Sequence, residues 1–135
     1  MQAPNDVVSL VLTFDEDVVR LRKLLRDCMV SYGFTLIEQT KMITATSELA
    51  RNALRYADGG TASIEILRES DRLGVSVTLC DDGPGIEDVT LALTDGYTTG
   101  GGLGLGLGGA KRLADEFNIH TELEKGTTVN IVKWK

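Results

Sequence analysis

The chain is poor in almost everything that lets a small protein hold together without a hydrophobic core. It has two cysteines in 135 residues, Cys28 and Cys80, far apart and in no C-x-x-C, and His120 is its single histidine. That excludes a disulfide framework and a His/Cys zinc site. Cys28 falls on the apolar side of an expected helix and Cys80 ends an apolar strand, so both are expected as core thiols. Proline occurs twice, and no Pro/Ser-rich linker or internal repeat divides the chain; one domain over 1–135 is expected. Positive charge is outnumbered, 14 Lys and Arg against 20 Asp and Glu. The resulting formal charge of −6 argues against a broad surface for nucleic acid or anionic membrane. No segment approaches the roughly 18 apolar residues of a membrane span, and MQAPNDVVSL lacks a basic region followed by a long apolar run. A cytoplasmic protein is the expectation.

What is present is ordinary in amount, with 42% apolar and 25% charged residues, enough for a real core at this length. VVSLVLTF (7–14) alternates as a strand should. From Asp15, Val18, Leu21, Leu24, Leu25, Cys28 and Met29 recur at threes and fours, which predicts an amphipathic helix ending at Gly33. A second helix fits 35–57, with Ile43, Leu49, Ala50, Ala53 and Leu54 inward. TASIEIL and LGVSVTLC read as strands joined by RESDR, and NIHTELE and TTVNIVKW as a strand pair around Lys125-Gly126. Between the pairs lie a break at DDGPGI, a short helical piece EDVTLALTDG, a glycine stretch, and a helix over about 105–117 with Ala110, Leu113 and Phe117 inward. Strands arriving in hairpins with helices between them predict an α+β two-layer sandwich. Its sheet is expected to be mixed, mostly antiparallel, and covered on one face by helices.

Four places could carry chemistry. In SELARNALRYA, Glu48 and Asn52 are four apart and so stand within about 40° of each other on a helix. An amide oxygen can bind Mg²⁺ and a carboxylate can take a proton from an attacking hydroxyl, although E-x-x-x-N by itself also suits a plain solvated face. In LCDDGPGI an apolar strand runs into Asp81, then Gly83 and Gly85. An ionised carboxylate only accepts, which suits an exocyclic amino group such as that of adenine, and the glycines let backbone bend and approach a flat ring; a tight turn is the plainer alternative. The stretch TTGGGLGLGLGGAKRL places Gly100, Gly101, Gly102, Leu103, Gly104, Leu105 and Gly106 ahead of a helix. Bare backbone feeding a helix N-terminus suits polyphosphate. Walker A fails, because Gly104 to Gly109 is followed by Ala110, Lys111 and Arg112. G-x-G-x-x-G matches Gly104, Gly106 and Gly109 but lacks the strand it requires just upstream. Last, Gly126-Thr127 opens a late strand, where a hydroxyl could join an adenine site or simply serve a turn. His120, in an expected strand, reads as a structural residue.

In this order, Glu48-x-x-x-Asn52, Asp81-x-Gly83-x-Gly85, the Gly100–Gly106 loop and Gly126-Thr127 resemble the N, G1, G2 and G3 boxes of the GHKL (Bergerat-fold) ATPases. The resemblance implies an ATP site in which Asp81 takes the adenine amino group and Thr127 completes the pocket. Asn52 would hold Mg²⁺, Glu48 would be the general base, and the glycine loop would be part of a lid over the phosphates. The chain has no room for the transducer of gyrase-like members or the phosphoacceptor helices of a histidine kinase. ATSELARN, DGYTTGGGLGLGLGGAKRLADEF and the VKW ending are similar to the RsbT type of switch serine/threonine kinase in bacterial partner-switching (stressosome) systems. That implies phosphoryl transfer from ATP to a Ser or Thr of a small STAS-domain protein. Arg51 and Lys111 would be candidate charge stabilisers. After release, the chain would bind a PP2C-type phosphatase or another output regulator. Two other readings stay open, an anti-sigma factor sequestering a sigma subunit and a nucleotide-dependent interaction module without useful turnover.

Overall fold

Alternating and 3.6-residue apolar patterns resolve into two layers in the computed structural model, which describes residues 7–85 and 107–135. The expected helical piece EDVTLALTDG and the loop residues Gly100, Gly101, Gly102, Leu103, Gly104, Leu105 and Gly106 lie outside the described residues. Strand β1 (Val7–Leu12) leads to α1 (Asp15–Ser31) and α2 (Leu36–Ala57), followed by β2 (Gly60–Glu69) and β3 (Arg72–Asp81). After α3 (Leu107–Leu113) come β4 (Glu116–Glu122) and β5 (Gly126–Trp134).

Side chains fix the chain's entry into both long helices. Asp17 Oδ2 accepts from the N–H of Thr13 and of Phe14, each at 2.8 Å. At α2, Thr35 Oγ1 accepts from Glu38 N–H at 3.1 Å while Glu38 Oε1 accepts from Thr35 N–H at 2.7 Å, a reciprocal capping box. α2 ends on Asp58 in the left-handed region (φ 60°) and Gly59 (φ 109°), and this tight exit turns the chain straight into β2.

The sheet order is β1-β2-β3-β5-β4, with all four pairs antiparallel. It therefore has no parallel pair among the described residues, a more uniform sheet than the mixed one expected. Antiparallel neighbours follow from the hairpins: β2 and β3 pair up to Glu69↔Arg72 around Ser70 and Asp71, a turn shorter than RESDR suggested. The helices cover one face. Leu21, Leu25 and Met29 of α1 and Met42, Ala45, Leu49 and Ala50 of α2 are buried against Ile64, Ile66, Val75, Val77, Leu79, Val129 and Ile131.

Two expectations fail for reasons of period and length. α3 stops at Leu113, so Phe117 belongs to β4 rather than to the helix, although it still packs on the core. Cys80 is half-buried on the face away from the helices, because strand alternation gives the core position to Leu79; its sulfur lies 3.5 Å from Thr128 Oγ1. Cys28, also half-buried, does pack against the core. The uncovered face carries a row of small polar side chains in register across all five strands, Ser9, Ser63, Thr78, Asn130 and Asn118. Asn130 Nδ2 donates there to Ser76 Oγ at 2.7 Å and Thr78 Oγ1 at 3.0 Å.

Candidate active site

Asp81 is the last residue of β3 and pairs in register with Thr127 of β5, which in turn faces Thr121 of β4. Alternation puts the three side chains on the face of Leu79 and Val129, the helix side, in one row at the end of the sheet. The carboxylate accepts from the backbone N–H of Gly83 at 2.9 Å and from that of Thr127. Burial pushes its pKa above the ordinary carboxylate range, the two N–H groups pull it back, and the neighbouring Asp82 charge adds to the rise. Such a desolvated acceptor, oriented by backbone donors, suits one external N–H donor better than bulk water.

Thr127, whose hydroxyl the Gly-Thr pair singled out, stands beside Asp81 at this sheet end. Its hydroxyl lies 2.9 Å from Thr121 Oγ1, which also donates to the Gly126 carbonyl at 3.2 Å. Thr121 thus lines the same sheet end, a candidate that the sequence reading did not single out. The signal available was weak: a single polar residue at an inward position of an alternating strand.

The glycines of this region serve the protein's own packing. A Cβ on Gly83 would lie 2.5 Å from Ala57 Cβ at the end of α2. Gly85 (φ 80°) would meet the Glu122 carbonyl at 2.4 Å, and Gly126 (φ 113°) the Asp81 carbonyl at 2.0 Å. Glu124 N–H donates to the Pro84 carbonyl at 2.8 Å. The turn after β3 is therefore clamped between α2 and the β4–β5 hairpin. The sequence assigned Gly83 and Gly85 to the approach of a flat ring; here their missing side chains admit protein backbone and Ala57. A cavity of about 360 Å³ opens beside this sheet end, lined by Ala57, Asp58, Gly60, Thr61, Cys80 and Asp81 among others.

Glu48 and Asn52 lie on α2 as the spacing required, half-buried on its outward side. Ala50 and Ala53, whose positions alternate with theirs, are buried in the core. The Glu48 side chain retains 45% of its exposure and is held by Arg51 at 3.3 Å. At about 1.5 Å per residue, Asn52 and Glu48 stand roughly 7.5 and 13.5 Å back along the helix axis from Ala57, where α2 meets the Gly83 turn. The candidate site is therefore elongated, with the half-buried acceptor Asp81 at one end and the amide and carboxylate further along. Among the described residues no group of three or more His, Cys, Asp and Glu side chains could hold a metal ion, so a divalent ion at Asn52 would need oxygens from its ligand and from water. Lys111 lies on α3 and is exposed; His120 is exposed on β4, 3.6 Å from Glu122. No described helix is long and apolar enough to cross a membrane.

The profile of the histidine kinase-, DNA gyrase B- and HSP90-like ATPases matches residues 37–135. The chain is 38% identical to the serine/threonine-protein kinase RsbT of Bacillus subtilis over 130 residues, 96% of this chain and 98% of that one. The anti-sigma F factor of Anoxybacillus flavithermus is 33% identical over 106 residues, 73% of this chain and 71% of its own. Among solved structures, the RsbU and RsbW domains of a Mycobacterium tuberculosis protein superpose with a TM-score of 0.68 at 17% identity. That match covers 99% of this chain and 34% of the other. The mycobacterial sensor histidine kinase MprB superposes with a TM-score of 0.56 at 16% identity, over 94% and 96% of the two chains.

Proposed function

The chain belongs to the histidine kinase-, DNA gyrase B- and HSP90-like ATPases, and we propose that it is an ATP-dependent serine/threonine protein kinase of a bacterial partner-switching pathway. The observation that carries the catalytic reading is Glu48, kept half-exposed on the outward side of α2 beside Asn52 and braced by Arg51. The pair stands one turn apart on the same helix that meets the Asp81–Gly83 turn, which places a proton acceptor and an amide oxygen along one site. The near full-length likeness to a serine/threonine-protein kinase supports the same reading, and the shorter match to anti-sigma F factors makes sequestration of a sigma subunit the secondary one.

In this reading Asp81 accepts the exocyclic amino group of adenine, and Thr127, linked to Thr121, lines the same pocket. Gly83 and Gly85 hold the turn that donates to Asp81. Asn52 would hold Mg²⁺ through its amide oxygen, and the Gly100–Gly106 loop would cover the phosphates. Bound ATP with Mg²⁺ supplies the γ-phosphoryl group. Glu48 takes the proton of the attacking hydroxyl, and Arg51 holds the Glu48 carboxylate in place; positioning and neutralisation do most of the rest. The acceptor is a Ser or Thr of a small STAS-domain protein, and a PP2C-type phosphatase or similar regulator is bound after release.

The test is transfer of label from γ-labelled ATP, with Mg²⁺, to a STAS-domain protein from the same genome. Acid-stable label is expected, and Glu48→Ala is expected to lower the rate at least ~100-fold while ATP affinity stays within about threefold. ATP binding without transfer to that partner would turn the reading toward a nucleotide-dependent interaction module.

A further inference from the structure

The two long helices do not close on each other along their whole length. Where the start of α1 passes the end of α2 they leave a groove of about 540 Å³, lined by Asp15, Val18, Val19, Arg22, Arg51, Leu54 and Arg55. Its composition runs against the rest of the chain. In a protein with formal charge −6, three of the seven lining residues are arginines, and Asp15 is the one acid among them. Arg22 is half-buried, and its Nε is shut off from solvent with no acceptor among the described residues. A buried donor without an acceptor is costly unless an oxygen arrives to take it. The aliphatic part of the groove is open as well: Val19 is 66% exposed at the rim, beside partly buried Leu54.

The groove is also continuous with the proposed catalytic face. Arg51 lines it and at the same time contacts Glu48 at 3.3 Å, so a chain seated there runs toward the carboxylate that would take the hydroxyl proton.

We infer that the α1–α2 groove is the docking site for an acidic segment of the phosphoacceptor protein. A carboxylate of that segment meets Arg22 and Arg55, and an aliphatic side chain packs on Val19 and Leu54. The inference rests on the kinase reading for the identity of its occupant. Charge complementarity selects it: an acidic protein repels acidic partners everywhere except at such a patch, and a desolvated guanidinium pairs best with a planar carboxylate.

The test uses the full chain and a STAS-domain protein from the same genome, with binding measured by calorimetry and phosphoryl transfer measured separately. Arg22→Glu and Val19→Glu both lie on α1, outside the nucleotide site, and ATP affinity and circular dichroism report that each still folds. Each variant is expected to weaken association with the STAS-domain protein at least tenfold and to raise its KM similarly. ATP affinity and the transfer rate at saturating acceptor should stay within threefold. Unchanged association in both variants overturns the inference, as does a wild-type chain with no affinity for that protein. Association that weakens in the variants, with a wild-type chain that transfers nothing, upholds the docking site and overturns the kinase reading alone.

Discussion

At the scale of single residues, two carboxylates with opposite environments make opposite predictions. Burial raises the pKa of Asp81, so its ionised form weakens the fold, and the stability this group contributes falls as pH rises from about 4 through its folded value. Asp81→Asn removes that dependence and keeps an oxygen for the Gly83 N–H. The variant without nucleotide is expected to melt no lower than the wild type at pH 7, while its ATP affinity drops by at least tenfold in a direct titration. A lower melting temperature together with intact ATP binding would make Asp81 structural. Asp17 is the reverse case. The Phe14 and Thr13 N–H groups and the nearby Arg20 hold its carboxyl below the ordinary range. Its stabilisation is present above the unfolded value, about pH 4, and is lost as pH falls through the lower folded one. In urea unfolding followed across pH, Asp17→Asn should be less stable than the wild type at pH 7 and converge with it toward pH 3.

At the scale of elements, the site depends on a turn and a hairpin that exclude side chains. Gly126 has φ 113°, and a Cβ there would meet the Asp81 carbonyl at 2.0 Å. Gly126→Ala should therefore cost about 2 kcal/mol or more, strain and displacement of the β3 end together. It should also weaken ATP binding, because the Thr127 N–H moves with it; a stable variant with unaltered ATP affinity would show that the hairpin entrance does not set the site. The elements themselves were legible to different degrees. α1 and α2 were read within a few residues because their apolar residues recur at threes and fours over several turns. The stop of α3 at Leu113 was not, since "LADEF" continues a helical pattern and only pairing with β5 pulls Phe117 into a strand. Propensity is a weak prior wherever a ladder competes for the same residues.

At the scale of the whole molecule, the proposed site would couple nucleotide to the fold through α2 and the sheet end. ATP that binds only the folded chain adds about 2.7 kcal/mol at a hundred times its Kd. A thermal-shift series with Mg²⁺-ATP should therefore raise the wild-type midpoint by several degrees, since ~1 kcal/mol corresponds to roughly 2–8 °C across domains of this size range. The same series should shift Asp81→Asn by no more than about half as much, because a tenfold weaker site at the same ATP concentration adds only about 1.4 kcal/mol. An equal shift in both would mean that the stabilising site lies elsewhere on the molecule.

The two-layer plan and the order of its elements were legible in the sequence alone, and so was the choice of Glu48, Asn52, Asp81 and Thr127 as candidate site residues. Apolar period, caps and the spacing of E-x-x-x-N, D-x-G-x-G and Gly-Thr are local properties that a chain carries without being folded. Three things were decided only by tertiary structure. Thr121 joined the site because β4 pairs with β5. Gly83, Gly85 and Gly126 proved to make room for Ala57 and for backbone carbonyls. Arg22 was set in a groove with Arg51 and Arg55, residues about thirty positions away along the chain. Each depends on which segments become neighbours, and register and packing across the core settle that, while no short stretch of sequence contains it.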